Sequence, residues 1–440
     1  MTRLLNIPPQ RIFLLLFVPL ALAMLLITPI MRVPDEQAHL GQAYVMASGQ
    51  TLRSLTTGRY TCPEGLLAAA DPTQVTLRDA AAMLGEGVSP ARVEASRNPA
   101  TALYPPLSYA PQALGMGLGL LTGNRALSLY GARLGNLACV TALLYWAIRL
   151  LPRGRLLAIA FTLMPMSLQQ AASASADGVI MALTFAMTAF VLNRCERGRL
   201  GRRDLAALAL LTLGLACWKI FYLPMALMML MLPAAGFGTR RDKACRLGLI
   251  LGGAALLLGA WALVCWLTMF SGATQGLTGQ TASNLQRLMT APWTFFMQLP
   301  VSLALKLPGC VAKLLGYGNA FSWFNADIGW LWVAQAPLLV GLWRCDEGHA
   351  LTPRRRVLLV GLCLGSTALA FLMLWLWWNP AESPLIEGFQ GRYLLPLLLP
   401  LAAALTPAWK RTFPRAALLL LGAQAMLSAA AIIRLAGAYA

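Results

Sequence analysis

Apolar runs of about twenty residues recur along this chain, and they leave it few ways to fold. The first covers residues 12–31; others cover 127–151, 156–172, 178–192, 205–237, 247–270, 328–342, 357–378, 393–409 and 416–433. A hydrocarbon core about 30 Å thick is crossed by roughly 20 apolar residues in a helix. Inside it every backbone N–H and C=O must be satisfied within the segment, so such runs become helices. Of the 440 residues, 58% are hydrophobic and only 12% charged, with mean hydropathy +0.64, about half the charge of an ordinary soluble chain. These figures rule out a cytosolic enzyme, a nucleic-acid-binding protein and a disordered chain. The expected fold is an all-α polytopic membrane protein, read as a single domain over residues 1–440.

A net charge of +19 would suggest nucleic acid in a soluble protein. In a membrane protein Lys and Arg collect in cytoplasmic loops, so the excess reports topology instead. Arg194, Arg197, Arg199, Arg202 and Arg203 form one cluster; Arg240, Arg241, Lys243 and Arg246 form another. With both inside, the run at 205–237 must cross twice, as a short hairpin whose outer turn holds Trp218, Lys219 and Tyr222. Continued alternation puts Arg149/Arg153/Arg155, Arg344/Arg354/Arg355/Arg356 and Lys410/Arg411/Arg415 inside as well. The first run follows Arg3 and Arg11 and lacks a small-residue cleavage site, which marks an uncleaved helix rather than a signal peptide. The outcome is about 11 transmembrane helices, N-terminus cytoplasmic and C-terminus outside, with a long first outer loop at 32–104. Segments 106–121 and 293–315 are apolar but interrupted by Gly, Pro or Lys. They read as helices lying on, or dipping into, the outer leaflet. The nine Cys fall mostly inside apolar runs and show neither a disulfide framework nor metal-type spacing.

The polar residues left at the outer ends carry the functional argument. Asp35, Glu36 and His39 follow the first helix. Ser173, Ser175 and Asp177 lie between the third and fourth. Lys219 sits at the hairpin turn, Gln390, Arg392 and Tyr393 precede the tenth helix, and Arg133 lies in the outer third of the second. An ionisable group at membrane depth costs on the order of 3 kcal/mol and persists where it faces a cavity, pairs or does chemistry. Their convergence on one leaflet points to a polar cavity there. No nucleotide-sugar is supplied outside the bacterial inner membrane, so a group-transfer enzyme there draws on a lipid carrier, and a sugar on polyprenyl phosphate fits. An ionised Asp35 can accept the acceptor hydroxyl's proton as bonds break. Lys219 and Arg392 can stabilise the charge gained by the departing lipid phosphate. One base and direct displacement would invert the anomeric centre.

Each signal also has a structural reading. Asp35 and Glu36 suit the cap of a helix starting near Gln37, and Asp177 suits the cap of the fourth helix. Lys219 suits a side chain snorkelling to outer phosphates. Arg392 and Tyr393 suit interfacial anchors. His39, four residues after Asp35, suits a structural hydrogen bond, and Tyr104-Pro105-Pro106-Leu107 suits a helix start.

Pro34-Asp35-Glu36 with His39, Tyr104-Pro105-Pro106-Leu107, Arg133-Leu134 with Asn136, Pro165 through Ser173 with Ser175 and Asp177, Lys219 with Tyr222 and Pro224, and Gln390-Gly391-Arg392-Tyr393 with Pro396 occur in order. Together they resemble the bacterial membrane proteins of the domain-of-unknown-function 2142 family, over nearly the whole chain. That family is similar to the GT-C superfamily of polyprenyl-phosphate-sugar-dependent glycosyltransferases. The resemblance implies a GT-C-like bundle with amphipathic helices in the first periplasmic loop. It implies Asp35 as catalytic base, Glu36 and His39 as residues holding the site or the acceptor, and Asp177 as the second acid. Arg392 and Lys219 would contact the lipid phosphate, and Arg133, Tyr104, Gln390 and Tyr393 would line the substrate site. Some GT-C members use a divalent metal; with two His in the chain and no further carboxylate cluster in the first loop, none is indicated here.

The expected function is an inverting glycosyltransferase of the bacterial inner membrane, with its site facing the periplasm. It would move a sugar from undecaprenyl phosphate to an envelope glycan such as O-antigen, with membrane lipids as surroundings and no nucleic-acid partner. Asp35 and Glu36 are both open as the base. The rivals are a flippase for lipid-linked sugars, against which the chain lacks matched halves, and a polysaccharide polymerase or ligase.

Overall fold

The computed structural model describes residues 7–68, 71, 74–98, 101, 103–269, 275–318, 331–348, 351–380, 382–406 and 412–440, with backbone alone at 269 and 275–280. Lys410, Arg411 and His349, the start of the run at 328 and the ends of the runs at 270 and 409 lie outside these.

Each apolar run is largely helical where it is described. Among the described residues seven helices are long and apolar enough to cross a membrane: α1 (Pro9–Ile27), α6 (Arg125–Leu150), α9 (Asp177–Arg197), α11 (Arg240–Met269), α13 (Trp293–Leu314), α15 (Pro353–Trp377) and α17 (Pro414–Tyr439). The shorter runs are broken for identifiable reasons. Between α7 (Arg155–Leu163) and α8 (Pro165–Ala171), Met164 takes ψ 138°, because the residue before proline is driven out of the helical region. The hairpin expected at 205–237 exists as α10 (Arg202–Trp218) and a returning 3₁₀ helix, Ile220–Met231. At about 2.0 Å per residue a 3₁₀ helix of this length spans roughly 24 Å, where an α-helix would reach about 18 Å. That is how twelve residues return from Lys219 to the basic end.

The basic clusters gather at that end. Arg194 pairs with Asp204 at 2.6 Å and Arg153 with Glu196 at 3.8 Å. Lys243 donates to the carbonyls of Leu230 and Leu232, and Arg355 to that of Met231. Asp346, beyond α14 (Leu331–Cys345), accepts from the Leu157 N–H at 2.8 Å and so caps α7. α9 forms the centre of the bundle, buried throughout 177–193, whereas α11 is 11% buried over its apolar window and lies at the periphery.

The first loop carries a strand pair besides its helices: β1 (Arg59–Pro63) and β2 (Arg92–Ser96) pair antiparallel, Arg59 opposite Ser96. One expectation for it is corrected: its leading helix, α2 (Glu36–Ala47), is not an amphipathic surface helix, since eight of its twelve residues are buried. The small Gly41 lets it close on the Tyr60 hydroxyl. Segment 106–121, expected to lie on the outer leaflet or dip into it, does not lie on the surface of the bundle but dips along α6. It forms a 3₁₀ turn (Pro106–Tyr109) and α5 (Ala110–Leu120), which packs antiparallel on α6 with backbone against backbone. A Cβ at Gly115 would collide with the Gly131 carbonyl, and one at Gly135 with the Pro111 carbonyl. Because Pro111 lies level with Gly135, the chain before it dips roughly 15 Å along α6 from the helix start, at 1.5 Å per residue. α13 packs along the 382–391 segment and the last turn of α15, through Ser302 to Ile386, Lys306 to Glu387 and Phe295 to Trp375.

Candidate functional site

Where α1 ends, Pro29 has no N–H with which to continue the helix, and the chain winds through positive φ at Met31 (69°) and Asp35 (63°). Left-handed backbone costs a non-glycine residue roughly 1–2 kcal/mol. Here it sends two adjacent carboxylates in opposite directions. Glu36 points inward and is fully buried. Its Oε1 accepts from Arg133 Nε at 2.8 Å and the Ala174 N–H at 2.9 Å. Its Oε2 accepts from Arg133 Nη2 at 2.6 Å and the Met31 N–H at 2.9 Å. Arg133, also fully buried, spends its remaining donors on the carbonyls of Leu25, Thr28 and Pro29. The carbonyls of Leu25 and Thr28 are ones that a helix end leaves without backbone partners, and that of Leu25 faces a proline four residues on; the Pro29 carbonyl also accepts from the Arg32 N–H at 3.2 Å. Glu36 and Arg133 therefore tie α1, α2, α6 and the Ser173–Ala176 turn together, and neither has a donor or acceptor left for a ligand.

Asp35 takes the other direction. It occupies the cap position of α2 but makes no capping hydrogen bond. Its side chain is 42% exposed and receives Arg392 Nη2 at 2.6 Å. Arg392, from the 3₁₀ helix Gly391–Leu397, also lies 3.2 Å from Asp177 through Nε. Gly391 lets the start of this 3₁₀ helix close on α13, since a Cβ there would meet the backbone of Cys310 and Leu314. Asp177 is the first residue of α9 and makes no cap either; it is ion-paired to Lys219. Lys219 does not snorkel outward: at the end of α10 it is 5% exposed and holds its ammonium 4.6 Å from the centre of the Tyr393 ring. The structure thus joins Asp35, Arg392, Asp177 and Lys219 in one chain of ion pairs, from residues up to 357 positions apart. All of it lies at the end of the bundle opposite the basic clusters.

Aromatic and imidazole groups wall this chain. His39 Nδ1 and the Tyr109 hydroxyl share a hydrogen bond of 2.9 Å. Burial pushes the His39 imidazole down to about 4 and the Tyr109 phenol well up, so both are neutral at pH 7. Tyr104 stacks at a tilt on Tyr109, ring centres 6.4 Å apart. The Tyr222 hydroxyl donates to the Tyr393 carbonyl at 2.6 Å and fixes the turn that carries Arg392. Tyr109 and Tyr222 are fully buried, while Tyr104 and Tyr393 are half-buried.

Of the ten residues singled out in the sequence, Asp35, His39, Asp177, Lys219, Arg392, Tyr104 and Tyr393 lie in or around this cluster. Glu36 and Arg133 belong to the scaffold beneath it. Gln390 contributes its carbonyl, which accepts from the Tyr393 N–H at 3.0 Å. Tyr109 was missed; its only signal was a second tyrosine just past the Pro105-Pro106 break. A divalent ion does not fit the residues present, since both acids of the cluster already face cations. Among the described residues no three His, Cys, Asp or Glu side chains are grouped as ligands.

A family model described as "Predicted membrane protein (DUF2142)" matches residues 16–401, which include every residue of the cluster. No curated protein and no solved structure matches the chain.

Proposed function

We propose that the chain, which belongs to the DUF2142 family of membrane proteins, is an inverting glycosyltransferase of the bacterial inner membrane. Its donor is a sugar on undecaprenyl phosphate, its acceptor a periplasmic glycan, and its site faces the periplasm with the N-terminus in the cytoplasm. One observation carries the reading. A half-exposed carboxylate, Asp35, stands within ion-pair distance of Arg392, itself joined through Asp177 to the buried Lys219. A base open to an acceptor beside cations suited to a phosphate is what transfer from a lipid phosphate requires.

In this reading the acceptor hydroxyl gives its proton to Asp35 as its oxygen bonds to the anomeric carbon. The bond from that carbon to the phosphate oxygen breaks, and Arg392 and Lys219 take the charge that the lipid phosphate gains. Asp177 keeps both cations in place. Glu36 is not a base here, because all its acceptor positions are filled. The flippase alternative draws less support, since the acids and cations cluster at one end of the bundle instead of tracing a path through it.

The test is transfer in vitro, with purified protein in nanodiscs, radiolabelled undecaprenyl-phosphate sugars and envelope glycans. Label should move to the glycan with wild type and fall by at least about a thousandfold with Asp35→Asn, the scale of a lost general base plus misplaced charge. Undiminished transfer by Asp35→Asn removes Asp35 as the base. Lipid crossing the bilayer without any transfer would replace the enzyme with a flippase.

A further inference from the structure

Both cations suited to the donor phosphate are already held by carboxylates of the chain. Asp177 holds Lys219 and, at 3.2 Å, Nε of Arg392; Asp35 holds Nη2 of Arg392 at 2.6 Å. Two acids and two cations sum to no net charge, so an arriving phosphate competes with the carboxylates for these cations. The carboxylates differ in what they would lose. Asp177 and Lys219 are each 5% exposed, and parting them strands a charge in the interior, the costly way to break a pair. Asp35 is 42% exposed, and its charge returns to water when the pair opens, where such pairs are weak. It also stands on left-handed backbone at φ 63°, which a turn of the 31–35 segment relieves.

We propose that the Arg392–Asp35 ion pair is a latch opened by the donor: a phosphate oxygen takes over Nη2 of Arg392, and the freed Asp35 carboxylate turns toward the acceptor hydroxyl. Asp177 remains on Lys219 and Nε and keeps the guanidinium in place throughout. This inference rests on the glycosyltransferase reading and adds its order of events. Donor binds before acceptor, and the base is masked whenever no donor is present.

The experiment uses the full chain in nanodiscs with two probes, undecaprenyl phosphate and undecaprenol, which share a tail and differ in the headgroup. Lipid binding is measured directly. In parallel, Asp35 is labelled with a carbodiimide and an amine, and deuterium exchange is followed over residues 31–41. Undecaprenyl phosphate should raise Asp35 labelling about five-fold, the bias that a part-exposed ion pair imposes, and speed exchange in 31–41. Undecaprenol should do neither. Arg392→Gln should label at the raised level without lipid; if that variant fails to fold, Arg392→Lys should label between the two. Bound undecaprenyl phosphate with neither labelling nor exchange increased overturns the latch and leaves the donor reading standing. Failure of undecaprenyl phosphate to bind at all removes the donor reading, and the latch with it.

Discussion

Replacing Arg133 with Met tests whether this arginine is scaffold or ligand contact. The side chain is fully buried and makes five hydrogen bonds, two to Glu36 and three to the carbonyls of Leu25, Thr28 and Pro29. Methionine keeps the length of the stem and removes all five. Stranding the Glu36 carboxylate costs about 3–5 kcal/mol, the penalty of breaking a buried ion pair from one side. The carbonyls of Leu25 and Thr28 add roughly 1 kcal/mol each, and that of Leu25 has no replacement, because residue 29 is proline; that of Pro29 keeps the Arg32 N–H. A loss of this size should lower the midpoint of thermal denaturation in detergent by on the order of 5–10 °C, allowing for the length of the chain. Glu36→Leu combined with Arg133→Met should destabilise by about 1–3 kcal/mol less than the two singles summed, since no lone charge remains. The carbonyls keep the double variant below wild type. Undecaprenyl phosphate binding, measured well below the midpoint, should persist in Arg133→Met. A variant that melts with wild type but no longer binds the lipid would refute the scaffold assignment.

Three further outcomes are expected. His39 is held below its unfolded value by burial, to about 4, so the unfolded chain binds the proton more tightly. That contribution to stability is complete above about pH 6.5 and is lost as pH falls toward 4; His39→Gln should flatten the fall in melting temperature between pH 7.5 and 5, and an unchanged slope would count against it. Gly115→Val drives a side chain into the Gly131 carbonyl and should destabilise by at least the 1–3 kcal/mol of core overpacking, read as lost monodisperse protein on size exclusion, whereas Gly117→Val, which faces open space, should not. Lys219→Met should weaken undecaprenyl phosphate binding roughly ten- to a hundredfold, the worth of one charge-assisted hydrogen bond; unaltered affinity would take Lys219 out of the phosphate site.

Much of the architecture was legible because bilayer chemistry acts locally. The hairpin at 205–237 follows from two basic clusters flanking a run too long for one crossing, and the structure returns the chain at Lys219 as that arithmetic requires. The α5–α6 contact was not legible. Its glycines look like helix breakers until a second helix is placed within backbone distance, and only that partner turns Gly115, Gly131 and Gly135 into packing residues. The ribbon of β1 and β2 was missed for a similar reason, since its strands pair across a gap of 28 residues.

The sequence alone determined that this chain lives in a membrane, where its helices run, and which ionisable residues lie near one end of them. Periodicity, hydropathy and charge placement are properties of short stretches, and solvation by lipid or water acts on them one stretch at a time. Which charge meets which was decided by the tertiary structure. Asp35 and Glu36 are neighbours with the same chemistry, yet a left-handed turn sends one to a half-exposed pair with Arg392 and buries the other against Arg133. Side-chain direction depends on a backbone dihedral, and that dihedral is held by contacts from residues more than a hundred positions away.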